Sequence, residues 1–393
     1  MSFHPLEGVR VLDVTSSLAG PYCTQILSGL GADVVKVEHP ARGDEARAWG
    51  PEFAGGSSVI FFAANAGKRS LALDVKAAAG REALLRLVDR ADVFLQSLRP
   101  GTAERLGLAP QDVRARNERL VYCSVGAYGA RGPLARLPGY DPLMQAAAGI
   151  MSVTGEPGGS PVRVGASIVD LGTAVWAALA IVAALGERER TGRGRVVDVS
   201  LYETALAYVC YQLADVLATG REPARLGTAF PLIAPYEVFA ARDGELMIAA
   251  ANDRLFAALC TAVGAPELVS DPRFATNPLR VEHREQLRAV LIPAFAARQV
   301  DEWLAILEGA GVPVTPVRSL AEVARHEQTR ALEILQELDG RPAVALPLSA
   351  DGERVRHRSR PPRLGEHSAE VLGEAGYSED EIRRLVAAGI VRA

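Results

Sequence analysis

Apolar and polar positions along the first half of the chain switch repeatedly between a strand-like and a helix-like period. Val9-Arg-Val-Leu-Asp-Val14 is an apolar run of strand length, followed by the small-residue loop Thr15-Ser-Ser-Leu-Ala-Gly20 and then Pro21. Proline suits the first turn of a helix, so a helix is predicted over Tyr22–Leu30, ending at Gly31, with a second strand over Asp33–Glu38. Strand, helix and strand joined in this way form a βαβ unit and imply a parallel sheet. The alternation continues with strands at 70–74, 92–96, 120–125 and 195–200 and helices at 77–90 and 201–217. The fold class is therefore α/β, with a Rossmann-like large domain. After a change of composition near Thr219-Gly-Arg-Glu-Pro223, the stretch 235–250 reads as a hairpin about Asp243-Gly244, with helices at 253–263 and 300–309. That segment predicts a second, smaller α+β domain. Beyond the basic, proline-containing run Arg356–Pro362 the chain turns helical again.

One junction stands out in this pattern. A short apolar strand over Val162–Val169 is predicted to meet a long apolar helix over Leu171–Leu185, and Asp170 is the only acid in the whole run. Unpaired N–H groups and the helix dipole favour an ionised carboxylate there. Two readings stay open: a helix cap, for which Asp is a preferred residue, and a nucleophile toward an activated acyl group. The apolar run Leu171–Gly186 is shorter than the ~20 residues of a membrane span and is predicted to be a helix inside the protein.

At 393 residues the chain exceeds the usual limit of one compact domain. A net charge of −4 gives no basic footprint for nucleic acid. Cys23, Cys123, Cys210 and Cys260 are widely spaced, without a CxxC or Cys/His cluster, so neither a disulfide framework nor a metal site is predicted. The first residues lack a basic segment followed by an apolar one, and a cytoplasmic location is expected. Lys36, Lys68 and Lys76 are the only lysines and all lie in the first fifth of the chain. An ammonium is one way to hold a phosphate, so this region is expected to meet a phosphorylated ligand.

Glu38 stands where a dinucleotide-binding acid would stand, yet Thr15-Ser-Ser-Leu-Ala-Gly-Pro-Tyr22 is not GxGxxG, and Gly29-Leu-Gly31 is explained as a helix end. There is no Walker lysine motif, no GxSxG elbow, and no histidine between His39 and His283. Nicotinamide dehydrogenase, ATPase and Ser-His hydrolase readings are all poorly supported.

Several blocks appear in a familiar order: Leu6–Val14 with Ala19-Gly-Pro, Gly31–Pro40, Gly43-Asp-Glu-Ala-Arg47, Gly67–Lys76, Arg99-Pro-Gly101, Gly139-Tyr-Asp141, Thr191-Gly-Arg-Gly194 and Leu364-Gly-Glu-His367. Through them nearly the whole chain resembles the family III CoA-transferases, the group of formyl-CoA transferase and carnitine CoA-transferase. The resemblance implies transfer of CoA from an acyl-CoA to a free carboxylic acid. It also implies an interlocked homodimer, CoA as substrate and no metal. The large domain would comprise 1–218 and 330–393 and the small domain 225–325. Linkers would lie at 219–224 and 326–362, the latter overlapping the returning segment. In the family the nucleophile is an aspartate ahead of a long helix, the place of Asp170, and an aspartyl-CoA thioester forms on it.

By the same resemblance, CoA contacts fall on Ser17, Leu18 and Ala19 through backbone, on His39 beside adenine, on Leu73 and Lys76, and on Arg105 for phosphate. Ser97, Leu98, Pro138, Gly139, Tyr140 and Asp141 complete the set. Ser97-Leu98 replaces a common Asn-Phe, Pro138 a basic residue of some members, and the four-glycine run of formyl-CoA transferase is missing. These departures weigh against formate or oxalate as the acid. Arg221–Arg225 and Gly227–Pro231 are read as shaping a site for a larger, dicarboxylic acid, or else as a solvated linker. The rival functions are an α-methylacyl-CoA racemase, whose histidine would fall at Tyr140, and a CoA-binding protein without catalysis.

Overall fold

A computed structural model describes residues 3–51, 53–54 and 57–393. The chain divides into two compact units, one formed by 1–150, 163–220 and 327–393, the other by 151–162 and 221–326.

The first unit is built on a seven-stranded sheet. Six strands run parallel: β1 (Arg10–Val14), β2 (Asp33–Glu38), β3 (Arg69–Leu73), β4 (Val93–Gln96), β5 (Val121–Gly126) and β6 (Val196–Ser200). Their spatial order is β3-β2-β1-β4-β5-β6, and the C-terminal strand Val391–Arg392 adds antiparallel to β3. Val11 lies opposite Val34 on one side and Val93 on the other. The central strands β1 to β4 are buried along nearly their whole length, as expected where helices cover both faces. The order reverses between β1 and β4, which is the doubly wound topology, and such sheets bind ligands beyond the carboxyl ends of their strands at that reversal.

Six helices of this unit matter below: α1 (Ala19–Gly29), α2 (Ala78–Val88), α3 (Asp141–Ala147), α4 (Ile168–Thr191), α5 (Leu201–Tyr208) and α6 (Cys210–Thr219). α1 starts three residues earlier than predicted. Pro21 is tolerated at its third position because the first N–H groups of a helix have no partner within it. The predicted helix 201–217 breaks at Val209, which has φ −104° and ψ 24°. α4 is long and apolar enough to cross a membrane by length and composition, yet half of it is buried within the protein. Its buried face is made of small residues such as Gly172, Ala174, Ala177 and Ala178.

Three expectations are corrected here. Residues 162–166 form no strand; the Val164 N–H is taken by the Gln145 side chain (2.9 Å) rather than by a neighbouring strand. Residues 151–162, read as part of the large domain, group with the second unit. There the Arg225 guanidinium holds the Gly159 carbonyl (2.5 Å), and the Gly227 N–H holds that of Gly155 (2.9 Å). The stretch 326–362 is not a bare linker either. Leu335–Leu338 pairs with Arg341–Val344 and Ser349–Ala350 with Glu353–Arg354. Asp339-Gly340 and Asp351-Gly352 turn these hairpins with positive φ at all four residues, the preferred chemistry for two-residue hairpin loops.

The second unit has a three-stranded antiparallel sheet, with Glu245–Ala249 between Tyr236–Ala240 and Val314–Pro316. The Asp243-Gly244 hairpin lies where the sequence places it. Helices 253–262, 284–296 and 300–309 close a core that includes Phe239, Phe256, Phe295 and Trp303.

Candidate active site

Asp170 is the third residue of α4, not its cap. Ser167 occupies the cap position without a side-chain hydrogen bond. The orphan donors are satisfied from another segment: the Asp141 Oδ2 accepts from the Val169 N–H (2.8 Å) and the Asp170 N–H (3.2 Å). Asp141 Oδ1 accepts from Gln145 Nε2 (2.6 Å) one turn along α3. The Gly139-Tyr-Asp141 block therefore supplies the cap of the helix that carries Asp170. Asp141, expected from the resemblance among the CoA contacts, is buried with both oxygens engaged in holding this helix start.

With its backbone held, the half-buried Asp170 carboxylate has no hydrogen-bond or ion-pair partner among the described residues. Burial pushes its pKa up to about 7, and the neighbouring Asp141 adds to the rise. This reverses the expectation of a carboxyl kept acidic by the helix terminus. The donors that would have stabilised its charge are already spent on Asp141, and desolvation acts unopposed. The result is a carboxyl that is poorly solvated, unpaired among the described residues and harder to ionise than an ordinary aspartate.

The second feature is a cavity of about 190 Å³ at the carboxyl ends of β1 to β4, where the strand order reverses. It is lined by Thr15 and Ser16 after β1, His39 and Asp44 after β2, Leu73 to Lys76 after β3, and Ser97 and Leu98 after β4. Five residues chosen from the sequence, His39, Leu73, Lys76, Ser97 and Leu98, thus meet at one cavity. Thr15, Ser16, Asp44, Asp74 and Val75 were missed; their place just past strand ends was the available signal.

The other selected residues lie elsewhere. Leu18 and Ala19 are buried at the start of α1. Ser17 has φ +71°, and its hydroxyl donates to Glu45 Oε1 (2.6 Å). The exposed Tyr140 has its hydroxyl 3.5 Å from the same oxygen. The first loop, the Gly43–Arg47 block and the segment ending in Asp141 therefore converge on Glu45. Gly139 sits against Met144 and Ala127. Pro138 is exposed, and the exposed Arg105 donates to Thr102 Oγ1 (2.8 Å) away from the cavity lining.

The lysine pattern has mainly a structural cause. Lys68 is fully buried against Asp13 (3.0 Å) and Lys36 against Asp44 (2.8 Å), which leaves Lys76 alone at the cavity. Burial by itself would raise the Asp13 carboxyl, but Lys68, Lys36 and the hydroxyls of Thr15 and Thr24 hold it well below the usual range. Glu38 is likewise buried, and its carboxylate is bound by Arg47 (2.7 Å) and Ser70 (2.8 Å).

The description "CoA-transferase family III" matches residues 6–368, nearly the whole chain. The chain belongs to the family III CoA-transferases. An acetyl-CoA:oxalate CoA-transferase of Acetobacter aceti is 40% identical, over 95% of this chain and 97% of that protein. A succinyl-CoA:glutarate CoA-transferase of Mus musculus is 37% identical, over 99% of this chain and 91% of its own length. Among solved structures, a CAIB/BAIF family protein from Brucella suis superposes with a TM-score of 0.85 at 38% identity, covering 95% of this chain and 100% of that one. The chain is thus a CoA-transferase with the mixed α/β fold of this family.

Proposed function

We propose that Asp170 is the nucleophile of this CoA-transferase and that the acceptor is a dicarboxylic acid. The observation that carries the first part is the unpaired, poorly solvated Asp170 carboxylate on a backbone held by Asp141. The ionised carboxylate attacks the thioester carbonyl, the C–S bond breaks and CoA leaves as thiolate. The thiolate then attacks the aspartyl carbonyl of the resulting anhydride and releases the donor acid. The acceptor carboxylate attacks the aspartyl-CoA thioester and expels the thiolate. The thiolate attacks the acceptor-derived carbonyl of the second anhydride, which yields the new thioester and frees the Asp170 carboxylate. Every step exchanges one acyl leaving group for another, so no net proton is consumed and the steps are closely matched in energy. The cavity at the carboxyl ends of β1 to β4 is the natural berth for CoA, with Lys76 as the phosphate contact and His39 beside the adenine.

Relatives named for glutarate and for oxalate support a dicarboxylate acceptor; the Acetobacter protein keeps oxalate among the acids to test, against the expectation from the missing glycine run. Tyr140, not a histidine, precedes Asp141, which leaves the racemase reading without its second base. The exposed apolar stripe Val175, Trp176, Leu179 and Val182 on α4 supports a dimeric form. The test is turnover of succinyl-CoA and acetyl-CoA with glutarate, oxalate and propionate. Exchange with a dicarboxylate and its loss in Asp170→Ala, with CoA affinity retained, is the expected result. Full activity of Asp170→Ala, or preference for propionate, overturns the corresponding half.

A further inference from the structure

A nucleotide-binding loop at this position of a doubly wound sheet is ordinarily shaped by glycines, which let the backbone turn tightly and approach phosphate. Residues 15–19 contain none, yet Ser17 takes a left-handed φ of +71°, which a non-glycine residue adopts only when its surroundings hold it there. Those surroundings are unusually complete. Asp13 Oδ1 accepts from the Thr15 N–H (3.0 Å) and from its hydroxyl. Lys36 Nζ donates to the Thr15 carbonyl (2.9 Å) and pairs with Asp44 Oδ2 (2.8 Å). Asp44 Oδ1 in turn accepts from the Ser17 N–H (3.0 Å). Ser97 Oγ accepts from the Ser16 N–H (3.1 Å).

Behind this layer Lys68 donates to Asp13 (3.0 Å), Asn65 (2.7 Å) and the Pro21 carbonyl (2.7 Å). Lys36, Lys68, Asp13 and Asp44 are all buried. A buried ion pair adds little to stability over an apolar pair of similar shape. What Asp13, Lys36 and Asp44, backed by Lys68, do supply is a fixed position for the backbone of Thr15 and Ser17, on either side of Ser16, with Thr15 and Ser16 lining the cavity.

We infer that Lys36 is a positioning residue for CoA: through the Thr15 carbonyl and Asp44 it holds the 15–17 backbone in its ligand-ready form before CoA arrives. Lys36 itself does not line the cavity, so its effect on binding passes through the loop. A preformed loop removes an ordering cost that binding would otherwise meet. The inference rests on the assignment of CoA to this cavity.

The test uses the whole protein and free CoA. Lys36→Met combined with Asp44→Asn removes the Lys36 donors without leaving a buried unpaired charge, and the asparagine amide keeps an acceptor for the Ser17 N–H. Because Asp44 lines the cavity, Asp44→Asn alone is titrated as the reference; calorimetric titration well below the melting temperature should show CoA binding by the double variant weakened at least fivefold relative to it, with a raised KM for acyl-CoA and kcat changed much less. A folded double variant with a smaller change in Kd overturns the inference, because a merely structural role lowers melting temperature and leaves the affinity of folded molecules alone. Hydrogen exchange of the wild type decides independently if the variant does not fold. The peptide spanning 14–18 should be protected before CoA is added; exchange as fast as an exposed loop, with protection only after CoA, overturns the preformed loop. If CoA changes exchange in neither this peptide nor the one spanning 73–76, the assignment of CoA to the cavity fails, and the role of Lys36 in binding fails with it.

Discussion

Replacing Asp141 by Asn tests how Asp170, the proposed nucleophile, is set. The carboxyl of Asp170 lies at about 7 instead of its ordinary 3.8, first because of burial and second because of the Asp141 charge. Only the ionised form attacks, and each pH unit below the midpoint costs about tenfold in its population. The account therefore predicts kcat/KM for acyl-CoA near half its plateau at about pH 7, about a tenth at pH 6 and about a hundredth at pH 5. An unperturbed carboxylate would give a flat profile across this range. Asparagine in place of Asp141 retains an oxygen for the Val169 and Asp170 N–H groups and removes the charge. Because Asp141 is the smaller of the two causes, the midpoint should fall below about 7 yet stay above about 5. The assay is initial rates of CoA-ester exchange by chromatography at saturating acid, between about pH 5 and pH 9. A wild-type profile flat to pH 5, or an Asp141→Asn midpoint that does not move down, refutes this reasoning.

Linkage gives Asp170→Asn a distinct signature. A carboxyl whose folded pKa is raised costs stability as pH climbs from its unfolded value through about 7, so the variant should melt a few degrees above wild type at pH 8 and equal it near pH 4, read by differential scanning fluorimetry. Gly172→Ala would drive its Cβ into the Tyr208 hydroxyl, where α5 packs against the first turns of α4. Loss of ~1–3 kcal/mol in a denaturant titration is expected, with partial rescue by Tyr208→Phe. Light scattering should give twice the 41.7-kDa chain mass for wild type, and Trp176→Glu with Leu179→Glu, which places charge on the exposed stripe of α4, should shift it toward one.

The large sheet was readable because its strands are short apolar runs broken by small residues, and parallel strands buried on both faces leave little else to choose. The hairpins at 335–354 carry an Asp-Gly signal of their own but are too polar to read as strands, so they passed for a linker. The cavity residues His39, Leu73, Lys76, Ser97 and Leu98 follow from the family resemblance, and the structure sets them at or just past the carboxyl ends of strands. The state of Asp170 is not legible in the sequence. Its helix terminus suggests an acidic carboxyl; burial in the folded chain reverses the sign, and Asp141, arriving from 29 positions away and taking the N–H donors, adds to the rise. Lys36 and Lys68 misled for a related reason: a lysine within an apolar strand and one before a strand give no sign that Asp44, in the loop beyond β2, and Asp13, on β1, claim them.

Peptide mass spectrometry after incubation with succinyl-CoA and trapping by hydroxylamine or borohydride bears on the chemistry most directly. The modified residue should be Asp170, with labelling lost in Asp170→Asn. An unmodified Asp170 in an enzyme that still turns over, or adduct on another side chain, would contradict a reaction carried by this carboxylate.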